Sequence, residues 1–218
     1  AGLIDKAEDW FQKLEANGLK PDIVTYNSMI DAYGKAGLVD KAEHWFRKLE
    51  DSGLKPDIVT YTSMIHACGK AVLIDKAEHW FQKLVKANGL KPNIVTYNSM
   101  IDACGKAGLI DKAEDWFQKL EANGLKPNIV TYGSMMDAYG KAGLVDKVEY
   151  WFRKFEGSGL KPDIVTYNFI IDACGKAGLI DKAEDWFQKL EANGLKPNIG
   201  TYNSMIDACG KAVLIDKA

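Results

Sequence analysis

One period governs this chain. Tyr26, Tyr61, Tyr97, Tyr132, Tyr167 and Tyr202 recur at intervals of 35, 36, 35, 35 and 35 residues. Pro21, Pro56, Pro92, Pro127, Pro162 and Pro197 keep the same beat, as do Trp10, Trp45, Trp80, Trp116, Trp151 and Trp186. The one extra residue falls near Leu84-Val85-Lys86. A segment running from Ala-Gly-Leu-Ile-Asp to Gly-Leu-Lys-Pro occurs three times unchanged, from Ala1, Ala107 and Ala177. Copies this alike suggest engineering or very recent duplication. A unit of this size cannot bury its apolar face alone, so its neighbours must supply the rest of the core.

Residues 23–57 serve as the unit. Tyr26, Met29, Ile30 and Tyr33 stand at i, i+3, i+4 and i+7, which predicts a helix from Ile23 to Gly34 with one apolar face. Gly34 and Gly37 bracket a turn in which a left-handed residue can stop that helix. Asp40-Lys41-Ala42-Glu43 has the spacing of a capping box for a second helix, whose own stripe is Ala42, Trp45, Phe46 and Leu49. Gly53, Leu54 and Pro56 end it. The fold class is therefore all-α: a solenoid of helix–turn–helix repeats. We expect a single array with a partial repeat at 1–22, full repeats at 23–57, 58–93, 94–128, 129–163 and 164–198, and a second partial repeat at 199–218. In that reading Ile199–Gly210 is a first helix and Ala212–Ala218 opens a second.

Of the 218 residues, 47% are apolar, ample for a core, and the formal net charge is −2. Nucleic-acid binders ordinarily carry a basic face. Here such a face must come from segregation of charge. No run of apolar residues is long enough to cross a membrane, and no targeting segment is visible in a chain that starts within a repeat.

Val-Thr-Tyr-Asn, Gly-Lys-Ala-Gly and Gly-Leu-Lys-Pro, repeated along nearly the whole chain, resemble the pentatricopeptide repeat (PPR) in its 35-residue form. The tetratricopeptide repeat fits worse. Its period is 34, and its tryptophan and Leu-Gly sit in the first helix, whereas here the tryptophan is in the second. The resemblance implies a right-handed superhelix whose first helices line a groove for single-stranded RNA, one base per repeat, in an organelle (mitochondrion or chloroplast). No carboxylate pair, nucleophile–base pair or glycine-rich phosphate loop stands apart from the repeat, so we expect no catalysis and no cofactor.

Carried over residue by residue, the resemblance assigns base reading to the fifth residue of each first helix and the last residue of the repeat. Asn27 with Asp57 resembles a uracil reader, and Thr62 with Asn93 an adenine reader. Asn98 with Asn128, and Asn168 with Asn198, resemble pyrimidine readers, more often of cytosine. Gly133 with Asp163 departs from the pattern, because glycine has no side chain to touch a base. Asn203 has no partner within the chain. Val24, Val59, Val95, Val130 and Val165 fill the position that wedges between bases, which Gly200 leaves empty. Lys35, Lys70, Lys106, Lys141, Lys176 and Lys211 fill the phosphate position. The implied target is 5′-U-A-C/U-N-C/U.

The residues also admit plainer readings. Asparagine is poor inside a helix, so Asn27 and its equivalents either sit near the first turn or serve contacts outside the fold, and we favour the latter. Asp and Asn cap helices about equally, which explains their presence at repeat ends but not their alternation. The lysines suit the negative end of a helix, and Asp31 and its equivalents on the same helix weaken any positive stripe, so modest, salt-sensitive affinity is expected. Cys68, Cys104, Cys174 and Cys209 take the place of Tyr33 and Tyr139 and read as buried small apolar groups. His44, His66 and His79 read as surface residues without metal-ligand spacing. The alternative function is a protein-interaction or self-assembling scaffold. In that case residues 1–21 could cover the final first helix of another molecule head to tail.

Overall fold

The computed structural model describes residues 2–87 and 89–215, with side chains described over 4–87 and 89–210. Among the described residues there are twelve helices: α1 (Gly2–Ala16), α2 (Ile23–Lys35), α3 (Val39–Asp51), α4 (Ile58–Lys70), α5 (Ile74–Lys86), α6 (Ile94–Lys106), α7 (Ile110–Ala122), α8 (Ile129–Lys141), α9 (Val145–Gly157), α10 (Ile164–Lys176), α11 (Ile180–Ala192) and α12 (Ile199–Ile215). They fall into two compact units, Ala1–Ala107 and Gly108–Ala218. No described helix is long and apolar enough to cross a membrane.

Each unit is built the same way. First helices lie on first helices (α2 on α4 on α6; α8 on α10 on α12), and the second helices α3, α5, α9 and α11 each pack on the first helices before and after them. Both predicted stripes are inside: Ile30 and Leu49 have no exposed surface, and Tyr26, Met29, Tyr33, Trp45 and Phe46 are buried. A recurring aromatic triangle ties one repeat to the next. Phe46, Tyr61 and Trp80 have ring centroids 5.5, 4.5 and 6.3 Å apart. In the second unit Phe117, Tyr132 and Trp151 repeat the figure at 5.6, 4.6 and 6.3 Å. Edge contacts of this kind add about 0.5–1.5 kcal/mol each beyond burial.

Two expectations about the turns are corrected. Gly34 is not part of the turn but the penultimate residue of α2, where it lets the next first helix approach closely. A Cβ there would meet the Ala67 Cβ at 3.0 Å, and at Gly69 the Ala103 Cβ at 2.8 Å. The left-handed residue is Gly37, at φ +70°. The amide of Leu38 then donates to the Tyr33 carbonyl at 3.0 Å and that of Gly37 to Gly34 at 2.9 Å, a Schellman closure. Leu38 is consequently also the residue that opens α3, so Asp40 lies inside the first turn and caps nothing. Its charge there still favours the positive end of the helix.

The side-chain caps belong to the first helices. Asp22, Asp57, Asn128 and Asp163 form capping boxes with Thr25, Thr60, Thr131 and Thr166. The extra residue near position 85 does not lengthen α5, which has the same 13 residues as α3. Two residues, instead of the one after α3, then separate the helix from the left-handed glycine Gly89. The expected break after Gly210 is also absent, since α12 continues through Ile215. Three of the four cysteines are buried as expected, and Cys209 is exposed. Burial raises the Cys68 thiol to about 12 and the Cys174 thiol to about 11.

Candidate nucleic-acid interface

The N-terminal turns of the first helices carry most of the residues singled out above. Asp57 caps α4: its Oδ1 accepts from the Thr60 amide at 2.9 Å and from the Thr60 hydroxyl at 2.9 Å. Asn27, on α2, reaches this cap. Its Nδ2 donates to Asp57 Oδ1 at 3.2 Å, and its Oδ1 lies 2.7 Å from the Thr60 hydroxyl. Burial alone would raise the Asp57 pKa, but the bonds from Thr60 and Asn27 outweigh it and hold the carboxyl below its ordinary value. All of these bonds fall on Oδ1, and none of them takes Oδ2.

The same arrangement closes the last full repeat. Asn168 Nδ2 donates to Asn198 Oδ1 at 3.4 Å, and the Thr201 hydroxyl lies 2.8 Å from Asn168 Oδ1. In the 58–93 repeat the link runs through a third residue. Thr62 bonds the Thr96 hydroxyl at 2.9 Å, and Thr96 bonds Asn93 Oδ1 through its amide at 3.0 Å and its hydroxyl at 3.1 Å. Fifth residue and last residue are thus brought together in these three repeats. Asn98 belongs to the first unit, where it is buried, and Asn128 to the second, where it caps α8. Gly133 has Asp163 at the N-terminus of the next first helix, and Asn203 is exposed.

The asparagines therefore correct the sequence reading. They are not held for outside contacts alone: Asn27 is 8% exposed and bonded to the neighbouring cap. The buried threonines Thr60, Thr96, Thr131, Thr166 and Thr201 were missed. Their signal was available, since each stands three residues after the Asp or Asn at the repeat boundary, which is capping-box spacing.

The five wedge valines are exposed in register, between 53% for Val59 and 65% for Val24. Between Val59 and Val95 lies a recess of about 290 Å³. Thr62, Asn93, His66 and Asp31 also line it. His66, expected at the surface, is half-buried there, while His44 and His79 are exposed.

The lysine ladder is present but largely neutralised. Lys35 pairs with Asp31 at 2.7 Å, Lys141 with Asp137 at 2.6 Å, Lys176 with Asp172 at 2.5 Å, and Lys106 with Asp102. The hydrogen bond to Asp31, followed by its charge, raises the Lys35 pKa. Lys70 has His66 in place of that aspartate. The side chain of Lys211 lies outside the described residues. Among the described residues no three His, Cys, Asp or Glu side chains cluster as a metal site.

Stacked helix hairpins with a polar, capped edge define a helical-repeat protein. The model of the PPR repeat family matches residues 21–70, 57–106, 92–141, 127–176 and 162–211, and the chain belongs to that family. The crystal structure of PPR10 in complex with an 18-nt psaJ RNA element is similar at 31% identity and a TM-score of 0.79, over 85% of this chain and 27% of that one. A crystal structure of PPR10 from maize matches at 32% identity and a TM-score of 0.73, over 95% of this chain and 30% of that one. The PPR domain of Arabidopsis thaliana protein-only RNase P 1, solved with tRNA, shares the fold at 16% identity and a TM-score of 0.64, over 86% and 98%. A curated pentatricopeptide repeat sequence of Arabidopsis thaliana is 55% identical over 31 residues, 14% of this chain and 6% of that protein. The chain thus spans about a quarter of PPR10 and a small fraction of the Arabidopsis relative.

Proposed function

We propose that this chain is a sequence-selective module for single-stranded RNA that takes one base per repeat and performs no chemistry itself. The observation that carries the reading is the recess between Val59 and Val95. It is lined by two exposed apolar side chains, Val59 and Val95, and by two hydrogen-bonding side chains, Thr62 and Asn93. A base is flat, apolar on its faces and polar on its edges, so this is the shape and chemistry it needs. The similarity to RNA-bound PPR10 supports the same reading. The pairs Asn27–Asp57, Thr62–Asn93, Asn98–Asn128, Gly133–Asp163 and Asn168–Asn198 would read 5′-U-A-C/U-N-C/U. Lysines already paired to aspartate contribute little net charge, so binding should be modest and weaken with salt.

Fluorescence anisotropy with a labelled UACNC RNA, a scrambled RNA and the matching DNA tests this. Binding that prefers the first of the three supports it. Equal binding to all three, or none, returns the chain to the role of a protein scaffold.

A second reading rests on the exposure of Trp10, at 68% while the other five tryptophans are buried, and of Ile199 and Ile206, at 81% and 69%. We propose that these faces can meet between two molecules, although further repeats of a longer parent would cover them equally well. Sedimentation that stays monomeric at high concentration removes the idea.

A further inference from the structure

In the six first helices, one fifth residue is a glycine, Gly133, and one sixth residue is not a serine, Phe169. The two departures fall in consecutive repeats and meet in space. A Cβ built on Gly133 would lie 3.2 Å from Phe169 Cε2 and 3.6 Å from Cζ. The ring edge therefore occupies the room that Asn27 or Thr62 fills with a polar side chain in its own repeat.

This place is part of the base slot. For the slot of the 58–93 repeat the equivalent of Phe169 is Ser99 of the following repeat, and Ser99 lines the same recess as Val59, Thr62, Asn93 and Val95. The corresponding residues in the second unit are Val130, Gly133, Asp163 and Val165, and both valines are exposed, at 54% and 53%. Phe169 is itself only half-buried, so its ring is not withdrawn into the core. Asp163 remains a cap, with Oδ1 bonded to the Thr166 amide and hydroxyl at 2.8 Å each.

Resting on the RNA-binding reading above, we propose that Phe169 is the base-contacting residue of the 129–163 slot, where its ring stacks on whichever base is bound. An aromatic face offers no hydrogen-bond code and accepts every base, purines most strongly because they present more surface. The slot with no side chain of its own is then a site of affinity without selectivity. Gly133 is what lets the ring in.

The test uses the whole chain and four labelled RNAs that differ only at N of UACNC, together with one that is abasic there. The wild-type protein should bind all four within about threefold, purines first, and the abasic RNA about tenfold more weakly. Phe169→Ser should lose about tenfold on all four and nothing further on the abasic RNA. Serine stands at this position in the other five repeats, so the fold accommodates it. Phe169→Leu keeps apolar bulk without the ring and should resemble the serine variant. The double change Gly133→Asn with Phe169→Ser places an asparagine opposite Asp163, as Asn27 stands to Asp57, and should favour uracil.

Unchanged affinity in Phe169→Ser, with wild-type binding intact, overturns this inference alone. So does a leucine variant that binds like wild type, which would make the ring mere packing. A wild-type protein that binds none of the RNAs removes the RNA-binding reading and this inference with it.

Discussion

The repeats at 23–57 and 58–93 are neighbours in one unit, and they share most of their apolar core. Their cores coincide: Tyr26, Met29 and Ile30 correspond to Tyr61, Met64 and Ile65, and Trp45, Phe46 and Leu49 to Trp80, Phe81 and Leu84, all buried. Tyr33 gives way to Cys68, which keeps the position apolar but forgoes the hydrogen bond of Tyr33 to Glu8. Other differences lie along the second helix, at the polar edge and at the turn. Asn27 becomes Thr62, Asp31 becomes His66, Gly37 becomes Val72, and Asp57 becomes Asn93. The scaffold is therefore a constant into which edge residues are set, and stability and recognition should separate cleanly by mutation.

The sharpest test of that separation is in the core. Ile30→Ala and Ile65→Ala each empty a site with no exposed surface. Each should cost about 2–5 kcal/mol in urea denaturation. Base preference, measured on the folded fraction, should not move in either. A large cost in one and not the other would show that the two cores are not equivalent.

Next comes the edge. The double change Thr62→Asn with Asn93→Asp transplants the Asn27–Asp57 pair, with Thr96 ready to take the part of Thr60. Anisotropy should show preference at the second RNA position moving from A to U by about tenfold, or about 1.4 kcal/mol. The melting temperature should stay within a degree or two. Retained preference for A would mean that these side chains serve the cap and not the base.

The turn gives a smaller effect. Val72 takes φ +58°, the one left-handed non-glycine among the described residues, where Gly37 takes φ +70°. A β-branched side chain pays about 1–2 kcal/mol for this conformation, and glycine's greater freedom when unfolded offsets part of the gain. Val72→Gly should stabilise the protein by about 1 kcal/mol, read as a higher urea midpoint with an unchanged slope. Gly37→Val should do the reverse.

These contrasts also mark what was legible in the sequence. The helices and their buried stripes were, because a 35-residue beat repeats the apolar spacing six times and chance cannot imitate it. The cap of the second helix was misread because Asp40-x-x-Glu43 has the right spacing in a place where a Schellman turn had already fixed Leu38 at the helix start. Spacing alone cannot show that two motifs compete for one residue. The pairing of Asn27 with Asp57 across 30 positions was expected from family resemblance, but its use of Thr60 was not. That bond depends on how closely α2 and α4 approach, and the approach is set by Gly34 against Ala67. The partner of Gly133 was illegible for the same reason, since nothing in a glycine names the ring that fills its space.

His66 offers the finest distinction. Its neighbours are Lys70 on its own helix, Lys106 and Asp102 on α6, and Asp31 on α2. Burial lowers its pKa first and Lys106 next, with Lys70 adding to them, while Asp102 and Asp31 pull the other way. The folded value thus lies below the unfolded one of about 6.5. The folded state then binds fewer protons, so the contribution of His66 to stability is complete above the unfolded value and is lost as pH falls toward the folded one. On the proposed function RNA would have the opposite preference, because a phosphate near His66 and Lys70 would favour the imidazolium. Affinity of the wild-type protein should therefore rise by about twofold between pH 7.5 and 5.5, in keeping with a single partly exposed charge pair. His66→Asp gives Lys70 the carboxylate that Asp31 gives Lys35, and should remove both trends at once. If the rise in RNA affinity survives that change, another group carries it, and His66 does not set the pH response of the 58–93 repeat apart from that of its neighbour.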